Sequence, residues 1–287
     1  MGGESIKLAM FDLWAISSEF ILLAALILVF CRLYIQQRRF AREKAEFEQR
    51  YVKLTDAGLR LLELKDALER EQEKSEKLLH NILPARVIAD LQEKGASAPE
   101  RFDDVSILFA DIINFTGIAP TMEPDELIVE LNDIFGEFDR IFALHNCERL
   151  KTVGDSYMAV GGLNRQNHDH CRDLVLAAME ARDYLAKRNR RPGARVWQMR
   201  FGVNSGSVIG GIVGREKYIY DIFGDTVNTA SRIEHASEAM KINVSGNVYK
   251  KLRDNFDFTH RGMVEVKGKG ALEMFFVNGV KSSCQKS

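Results

Sequence analysis

Two aspartates stand at the ends of apolar runs that are typical of buried β-strands. Asp111 follows VSILFA, and Asp155 lies between CERLKTVG and SYMAVGG. If the two strands are neighbours, the carboxylates converge at one sheet edge, where their repulsion raises the pKa of one unless a cation neutralises both. Hard oxygen ligands favour Mg2+ or Mn2+, and two such ions can activate a hydroxyl and stabilise a leaving phosphate. Each aspartate alone is better explained as a turn residue, so only the pair predicts a metal site.

The turn after Asp111 is a candidate phosphate-binding element. It contains Phe115 and Thr116 in INFTG and leads into a helix that begins near Pro124. Turn amides and helix N-termini bind phosphate without side-chain charge. Many strand–turn–helix junctions share this pattern, so by itself it is a weak indication of substrate contact.

A second group of polar residues lies in YDIFGDTVNTASRIE. Asn228 and Arg232 are four residues apart on a helix that starts at Asp225, so both point from one face. An amide and a guanidinium one turn apart can orient a sugar and bind a phosphoryl oxygen. Other polar residues here, Glu234 among them, are interpreted as not needed for packing that face. An ordinary exposed helix face is the alternative.

Two further stretches contain cationic side chains that could bind a polyphosphate. Lys267 and Lys269 alternate with glycines in VKGKG, which predicts a flexible basic hairpin able to close over phosphates. Basic hairpins are also common solvated turns. Arg200 lies in the apolar strand WQMRFGVN, where one face is expected to be buried, so we expect it to have an anionic partner.

The elements that must position these residues alternate between strand and helix from residue 101 onward. In chain order we predict a strand at 105–111, a helix at 123–145, a hairpin of CERLKTVGD and SYMAVGG, a helix at 169–189, separate strands through QMRFGVN and SVIGGIVG, a helix at 225–237, and final strands around KINVSG, DFTHRGMVEV and LEMFFV. Such an order predicts an α/β fold, an α+β sandwich with a mixed sheet flanked by helices.

The N-terminal segment, residues 1–36, carries an apolar stretch that predicts a membrane helix. FILLAALILVFC has no charge, and with Ile35 as its end the stretch covers about 24 Å at about 1.5 Å per residue, against a hydrocarbon core of about 30 Å. Residues 13–16 complete the span. The flanking charges are wrong for a signal peptide, and a buried or dimerising helix is the other alternative. Basic residues lie on the C-terminal side of the uncharged stretch, which predicts a plasma (inner) membrane protein with everything after residue 36 in the cytoplasm; they are Arg32, Arg38, Arg39, Arg42 and Lys44.

Residues 37–83 predict a coiled-coil helix. Apolar residues recur every seven positions, at Phe40, Phe47, Leu54, Leu61 and Leu68, which favours a parallel dimer. Glu71 and Ser75 then occupy seam positions. They either leave the stretch poised between two packings or simply let it fray.

Composition excludes several classes of protein. The chain has 287 residues and 46% hydrophobic content, enough for a substantial core. Forty basic and 41 acidic residues give a net charge of −1, so no nucleic-acid partner is predicted. The four cysteines are far apart and form no CxxC pair, which argues against a zinc site and favours a reducing compartment; they are Cys31, Cys147, Cys171 and Cys284.

Taken together, these motifs resemble the class III nucleotidyl cyclase catalytic domain of the adenylate cyclase type, in a membrane-anchored, bacterial-like form. The resemblance covers residues 84–280 and leaves 281–287 as a C-terminal tail. LLHNILP is similar to the short element that joins signalling helices to these domains. The resemblance implies a head-to-tail homodimer with two active sites, each built from both chains.

The resemblance also implies a role for each candidate residue. Two Mg2+ or Mn2+ ions per site would be held by Asp111, Asp155 and the carbonyl of Ile112, and Arg200 and Lys269 would bind the triphosphate. Lys267 makes the second of these assignments less secure. From the opposite chain, Lys151 and Asp221 would read the purine, Asn228 would orient the ribose and Arg232 would stabilise the pentavalent phosphate.

The pair at 151 and 221 predicts the substrate. Adenine offers an amino donor and a ring-nitrogen acceptor, which suit a carboxylate and an ammonium group, whereas guanine reverses that edge. In the guanylate cyclases of the family that the sequence resembles, Glu and Cys are found at these two positions. We therefore expect ATP to be converted into cyclic AMP and pyrophosphate. A guanylate cyclase and a nucleotide-binding signalling module without turnover are the alternatives.

Overall fold

The computed structural model describes residues 3–80, 82–164, 167–214 and 218–282, with side chains from residue 20 onward. The chain divides into two compact units, residues 1–79 and 80–287, which are described separately. The side chains of residues 13–16, Cys284 and most of the predicted tail lie outside the described residues.

The first unit consists of one long helix, α1 (Gly3–His80). It contains both the apolar stretch and the heptad stretch without a break, and it continues through Glu71 and Ser75. Within the described residues, its segment from Phe20 onward is the one helix long and apolar enough to cross a membrane. The apolar heptad side chains are exposed in the single chain, so the coiled coil stays a prediction.

The second unit is a mixed α/β domain. Its described helices are α2 (Ala85–Lys94), α3 (Phe115–Ile118), α4 (Pro124–Leu144), α5 (His170–Arg188), α6 (Asp225–His235) and α7 (Gly246–Leu252), with a 3-10 turn at Ala119–Thr121. Its described strands are β1 (Glu100–Ile112), β2 (Cys147–Val153), β3 (Ser156–Gly161), β4 (Met199–Val213), β5 (Ile219–Phe223), β6 (Ile242–Ser245), β7 (Phe256–Val266) and β8 (Gly270–Val280).

The strands form one sheet in the order β2-β3-β1-β4-β6-β8-β7, and β5 pairs with the far end of β4. The β4–β6 pair is parallel, and the other pairs are antiparallel. The predicted mixed sheet flanked by helices is therefore confirmed.

The two faces of the sheet bury different helices because side chains alternate along each strand. On β1, Leu108 and Ala110 belong to a large core with α4, α5 and α7, whereas Ile107 packs in a second core that includes Ala230 of α6. Asp111 is four residues after Ile107 on the same strand, so its side chain points to the same face, which carries α6.

Two strand assignments differ from the sequence prediction. The predicted separate strands through QMRFGVN and SVIGGIVG are one continuous strand, β4, and β5 was not predicted. Glycines interrupt the apolar alternation of β4, but they stay in the strand because neighbours approach closely. A Cβ at Gly206 would lie 2.7 Å from Thr226 Oγ1, and one at Gly210 would lie 2.4 Å from Tyr220 Oη.

Gly202 of β4 is the point where α6 comes closest to the sheet. A Cβ there would lie 2.1 Å from the backbone nitrogen of Glu234, so α6 would have to move. We expect Gly202→Ala to lower the free energy of unfolding by about 1–3 kcal/mol or more, as other overpacked sites do. Thermal unfolding of the detergent-solubilised full chain measures the effect.

Gly136→Ala is the matched control for this substitution. Gly136 lies within α4, and an added Cβ would meet nothing within 4 Å. The alanine is therefore expected to be neutral or to stabilise by about 0.5–1 kcal/mol. Equal melting temperatures for the two variants would contradict the close approach of α6 to β4.

Candidate active site

Asp111 and Asp155 are brought to one edge of the sheet by three neighbouring strands. β1 lies between β3 and β4, and Asp111 pairs with Ser156 on one side and with Arg200 on the other. Asp155 directly precedes Ser156, in the turn from β2 to β3 where Gly154 has a φ of 62°. The condition set by the sequence, that the two strands are neighbours, is met.

The pKa of Asp155 reflects this proximity. Burial and the negative charge of Asp111 raise the pKa of Asp155 above its ordinary value. Hydrogen bonds from the backbone N–H groups of Asp155 and Ile112, together with the charge of Arg200, only partly oppose the shift. A second negative charge is thus unfavourable here unless a cation accompanies it.

The donor chemistry of this edge fits a hard divalent cation. Two carboxylates offer oxygen ligands, and the backbone carbonyl of Ile112 follows directly after Asp111. Within the described residues, no group of three or more His, Cys, Asp and Glu side chains is placed to hold a metal. A cation at this edge would therefore need ligands from outside the side chains of Asp111 and Asp155, such as backbone carbonyls, water or substrate.

Arg200 links Asp111 to a third carboxylate. Its Nη2 donates to Asp111 Oδ2 at 2.9 Å, and its Nε donates to Glu234 Oε1 at 2.5 Å. The expected anionic partner of Arg200 is thus confirmed. The interpretation of Glu234 as unnecessary for packing is wrong, since the side chain is only 1% exposed. The signal for a partner was the cation in the apolar strand WQMRFGVN, but the sequence pattern did not identify which carboxylate it meets.

Lys151 and Asp221 contact each other. Lys151 Nζ donates to Asp221 Oδ2 at 2.5 Å, and Asp221 Oδ1 accepts from the backbone N–H of Ile222 at 2.9 Å. Lys151 also lines an open cavity of about 590 Å3 beside β2 and β5, together with Thr152 and Tyr220. The two residues that were predicted to act as a pair are therefore adjacent.

The predicted polar face of α6 is present. Asp225 begins the helix, Asn228 is exposed and Arg232 is half-buried. Neither Asn228 nor Arg232 makes a side-chain hydrogen bond to any residue that the structure describes. Their side chains are thus available to a ligand or to another chain.

The basic hairpin between β7 and β8 reaches the start of α6. Lys269 forms an ion pair with Asp225, whereas Lys267 is exposed. This difference favours Lys269 over Lys267 as the lysine that belongs to the site. In the turn after Asp111, Phe115 packs in part against the main core and Thr116 is exposed, both within α3.

Comparison with known proteins gives a consistent match for this unit. The family described as the adenylate and guanylate cyclase catalytic domain matches residues 97–279. An adenylate cyclase of Mycobacterium tuberculosis is 36% identical over 215 residues, which are 75% of this chain and 48% of that protein. Human guanylyl cyclase C is 36% identical over 217 residues, 74% of this chain and 20% of that protein.

A solved structure shares the fold. The guanylate cyclase domain of RhGC from Catenaria anguillulae, in complex with GTP, superposes with a TM-score of 0.61 and 31% identity, covering 63% of this chain and all of that one. The chain spans about half the length of the mycobacterial relative and a fifth of the human one.

Proposed function

The chain belongs to the adenylate and guanylate cyclase catalytic domain family, and from this premise we propose that it is an adenylate cyclase that converts ATP into cyclic AMP and pyrophosphate. The observation that carries the choice of base is the contact between Lys151 and Asp221. A carboxylate accepts from the amino group of adenine, and an ammonium donates to its ring nitrogen. Guanine presents the opposite pattern.

The proposed reaction is in-line attack of the ribose 3′ hydroxyl on the α-phosphorus. Asp111 and Asp155 would hold the divalent ions, together with the backbone carbonyl of Ile112. When bound, Mg2+ or Mn2+ would lower the pKa of the hydroxyl and neutralise charge on the leaving pyrophosphate.

The other residues bind and orient the nucleotide. Arg200 and Lys269 hold the triphosphate, and the α3 turn with Phe115 and Thr116 lies beside it. Asn228 orients the ribose, and Arg232 meets the charge that builds on the transferring phosphoryl group.

We propose further that two copies of the chain share each site. The half that contains Asp111 would be completed by Lys151, Asp221, Asn228 and Arg232 of the second copy. The available donors of Asn228 and Arg232 support this arrangement. So do the exposed apolar side chains that β4 and β5 present, because exposed apolar surface marks sites of association; they are Ile209, Val213, Ile219 and Phe223.

The apolar part of α1 would anchor this dimer in the plasma membrane, with the catalytic unit in the cytoplasm. Its length and composition support the anchor, and the basic residues that follow it support the orientation. The exposed heptad side chains of α1 would then pack in a parallel coiled coil between the two copies.

Identification of the product tests the proposal. The detergent-solubilised full chain is incubated with ATP or GTP and either Mn2+ or Mg2+, and the nucleotides are separated by chromatography. We expect cyclic AMP and pyrophosphate, and loss of both on chelation. Dominant cyclic GMP would instead support a guanylate cyclase, as relatives of that type also match. Nucleotide binding without turnover would support a signalling module.

A further inference from the structure

Glu234 differs in its burial from Asp111, the other carboxylate that Arg200 contacts. Its side chain is 1% exposed, whereas that of Asp111 is 19% exposed and that of Arg200 is 27% exposed. Arg200 therefore joins a carboxylate inside the protein to one at the open edge of the sheet. Because an unpaired buried charge is costly, the contact with Glu234 is the one that the fold must keep.

The position of Glu234 is set by the backbone. Gly202 of β4 lets α6 approach so closely that a Cβ there would lie 2.4 Å from the Cα of Glu234 and 2.1 Å from its nitrogen. The carboxylate also has close polar neighbours. Oε1 accepts from Arg200 Nε, and Oε2 lies 2.8 Å from His235 Nδ1. Glu234 thus has little freedom to move.

Arg200 is held by one edge of its guanidinium group. Nε is used by Glu234 and Nη2 by Asp111, while Nη1 makes no hydrogen bond to any residue that the structure describes. Arg200 is a cation, as guanidinium groups are in proteins, and its Nη1 is available to another acceptor.

We propose that Glu234 is a positioning residue that anchors Arg200 at Nε, so that the Nη groups can exchange Asp111 for a phosphate oxygen of the nucleotide. The inference rests on the proposed function, in which Arg200 binds the triphosphate and Asp111 binds cations. The exchange releases Asp111 at the moment when Arg200 gains another anion. A pre-oriented guanidinium loses less freedom on binding and so binds more tightly.

Binding of inorganic tripolyphosphate to the solubilised full chain tests this anchor, because it requires neither turnover nor a base. Calorimetry is done on the wild type and on two variants. Glu234→Met removes the acceptor oxygens but keeps a side chain of similar length, and Glu234→Gln keeps one acceptor oxygen. We expect about tenfold weaker binding for Glu234→Met, since a hydrogen bond to a charged group has about that effect or more, and recovery of most of this loss in Glu234→Gln. With ATP, KM is expected to rise more than kcat falls.

Double substitution separates positioning from packing. If Glu234 acts through Arg200, the pair Arg200→Met with Glu234→Met binds tripolyphosphate no more weakly than Arg200→Met alone. The pair is also expected to melt at a higher temperature than Arg200→Met, which leaves Glu234 buried without its cation. Glu238→Gln is the control, because it alters the contact of an exposed glutamate just beyond α6 with Arg261.

The outcomes distinguish the anchor from the proposed function. Glu234→Met with wild-type tripolyphosphate affinity and KM would overturn the anchor and leave the cyclase proposal intact. Unchanged binding in Arg200→Met, or no binding by the wild type, would overturn both the anchor and the phosphate-binding role of Arg200.

Discussion

Replacing Asp111 with alanine is expected to lower the rate of cyclic nucleotide formation about a thousandfold, while the chain stays folded and in the same oligomeric state. The carboxylate is proposed to hold the cations on which the chemistry depends, and Asp155 alone leaves too few ligands. The fold does not need Asp111 as a partner for Arg200, because Glu234 retains the buried end of that contact. Initial rates with ATP and Mn2+, melting temperature and light scattering measure the three properties.

Asp103→Asn is the matched control for Asp111→Ala. Asp103 lies on the same strand, is largely exposed and pairs with Arg101 near the other end of β1. We expect wild-type activity from it. An Asp111→Ala variant that keeps more than about a tenth of the wild-type rate would contradict the proposed metal role, since removal of one essential electrostatic group costs more than that.

The meeting of Asp111 and Asp155 was predictable in part, because each residue lies where a strand ends. Asp111 lies near the end of β1, and Asp155 lies with Gly154 in the hairpin turn between β2 and β3. Strand alternation then decides the face. A period of two is visible in the sequence, so the face followed from local order. The pairing of β1 with β3 is a long-range contact, and the sequence supplied it only as a condition.

The partner of Arg200 was predictable only in kind. A cation in a strand with a buried face needs an anion, but Glu234 lies 34 residues away in a different element. Glu234 can reach Arg200 because Gly202 has no side chain, which lets α6 approach the sheet. A glycine in a strand does not indicate which helix will pack against it. Long-range packing of this type leaves no periodic signal.

β5 was missed for a related reason, and its support bears on the base-reading pair. The strand is only five residues long, and it is held by α2 through a cluster in which Val87 and Ile88 pack with Tyr220 and Ile212. Tyr220 directly precedes Asp221. The position of the Asp221 carboxylate therefore depends on a helix that lies more than a hundred residues earlier in the chain, and on the contact with Lys151 from β2.

Replacing Lys151 and Asp221 by other residues is expected to invert the preference between ATP and GTP. In the double variant Lys151→Glu with Asp221→Cys, the glutamate accepts from the groups that guanine donates, and the aspartate that suits the adenine amino group is gone. Buried polar groups left unpaired by the wrong base cost selectivity steeply, so the ratio of kcat/KM for ATP over GTP should fall by about a hundredfold or more. Lys151→Glu alone puts two carboxylates in contact and should impair both substrates.

The measurement is kcat/KM for each nucleotide under Mn2+, with the cyclic products identified separately. Lys250→Gln lowers the net charge by one, as the double variant does, on the exposed side of α7, and it controls for the overall electrostatic effect on an anionic substrate. It should leave the ratio unchanged. A double variant that still prefers ATP to the wild-type extent would show that Lys151 and Asp221, although in contact, do not read the base. The choice of ATP would then have to rest on other residues of the cavity beside β2 and β5.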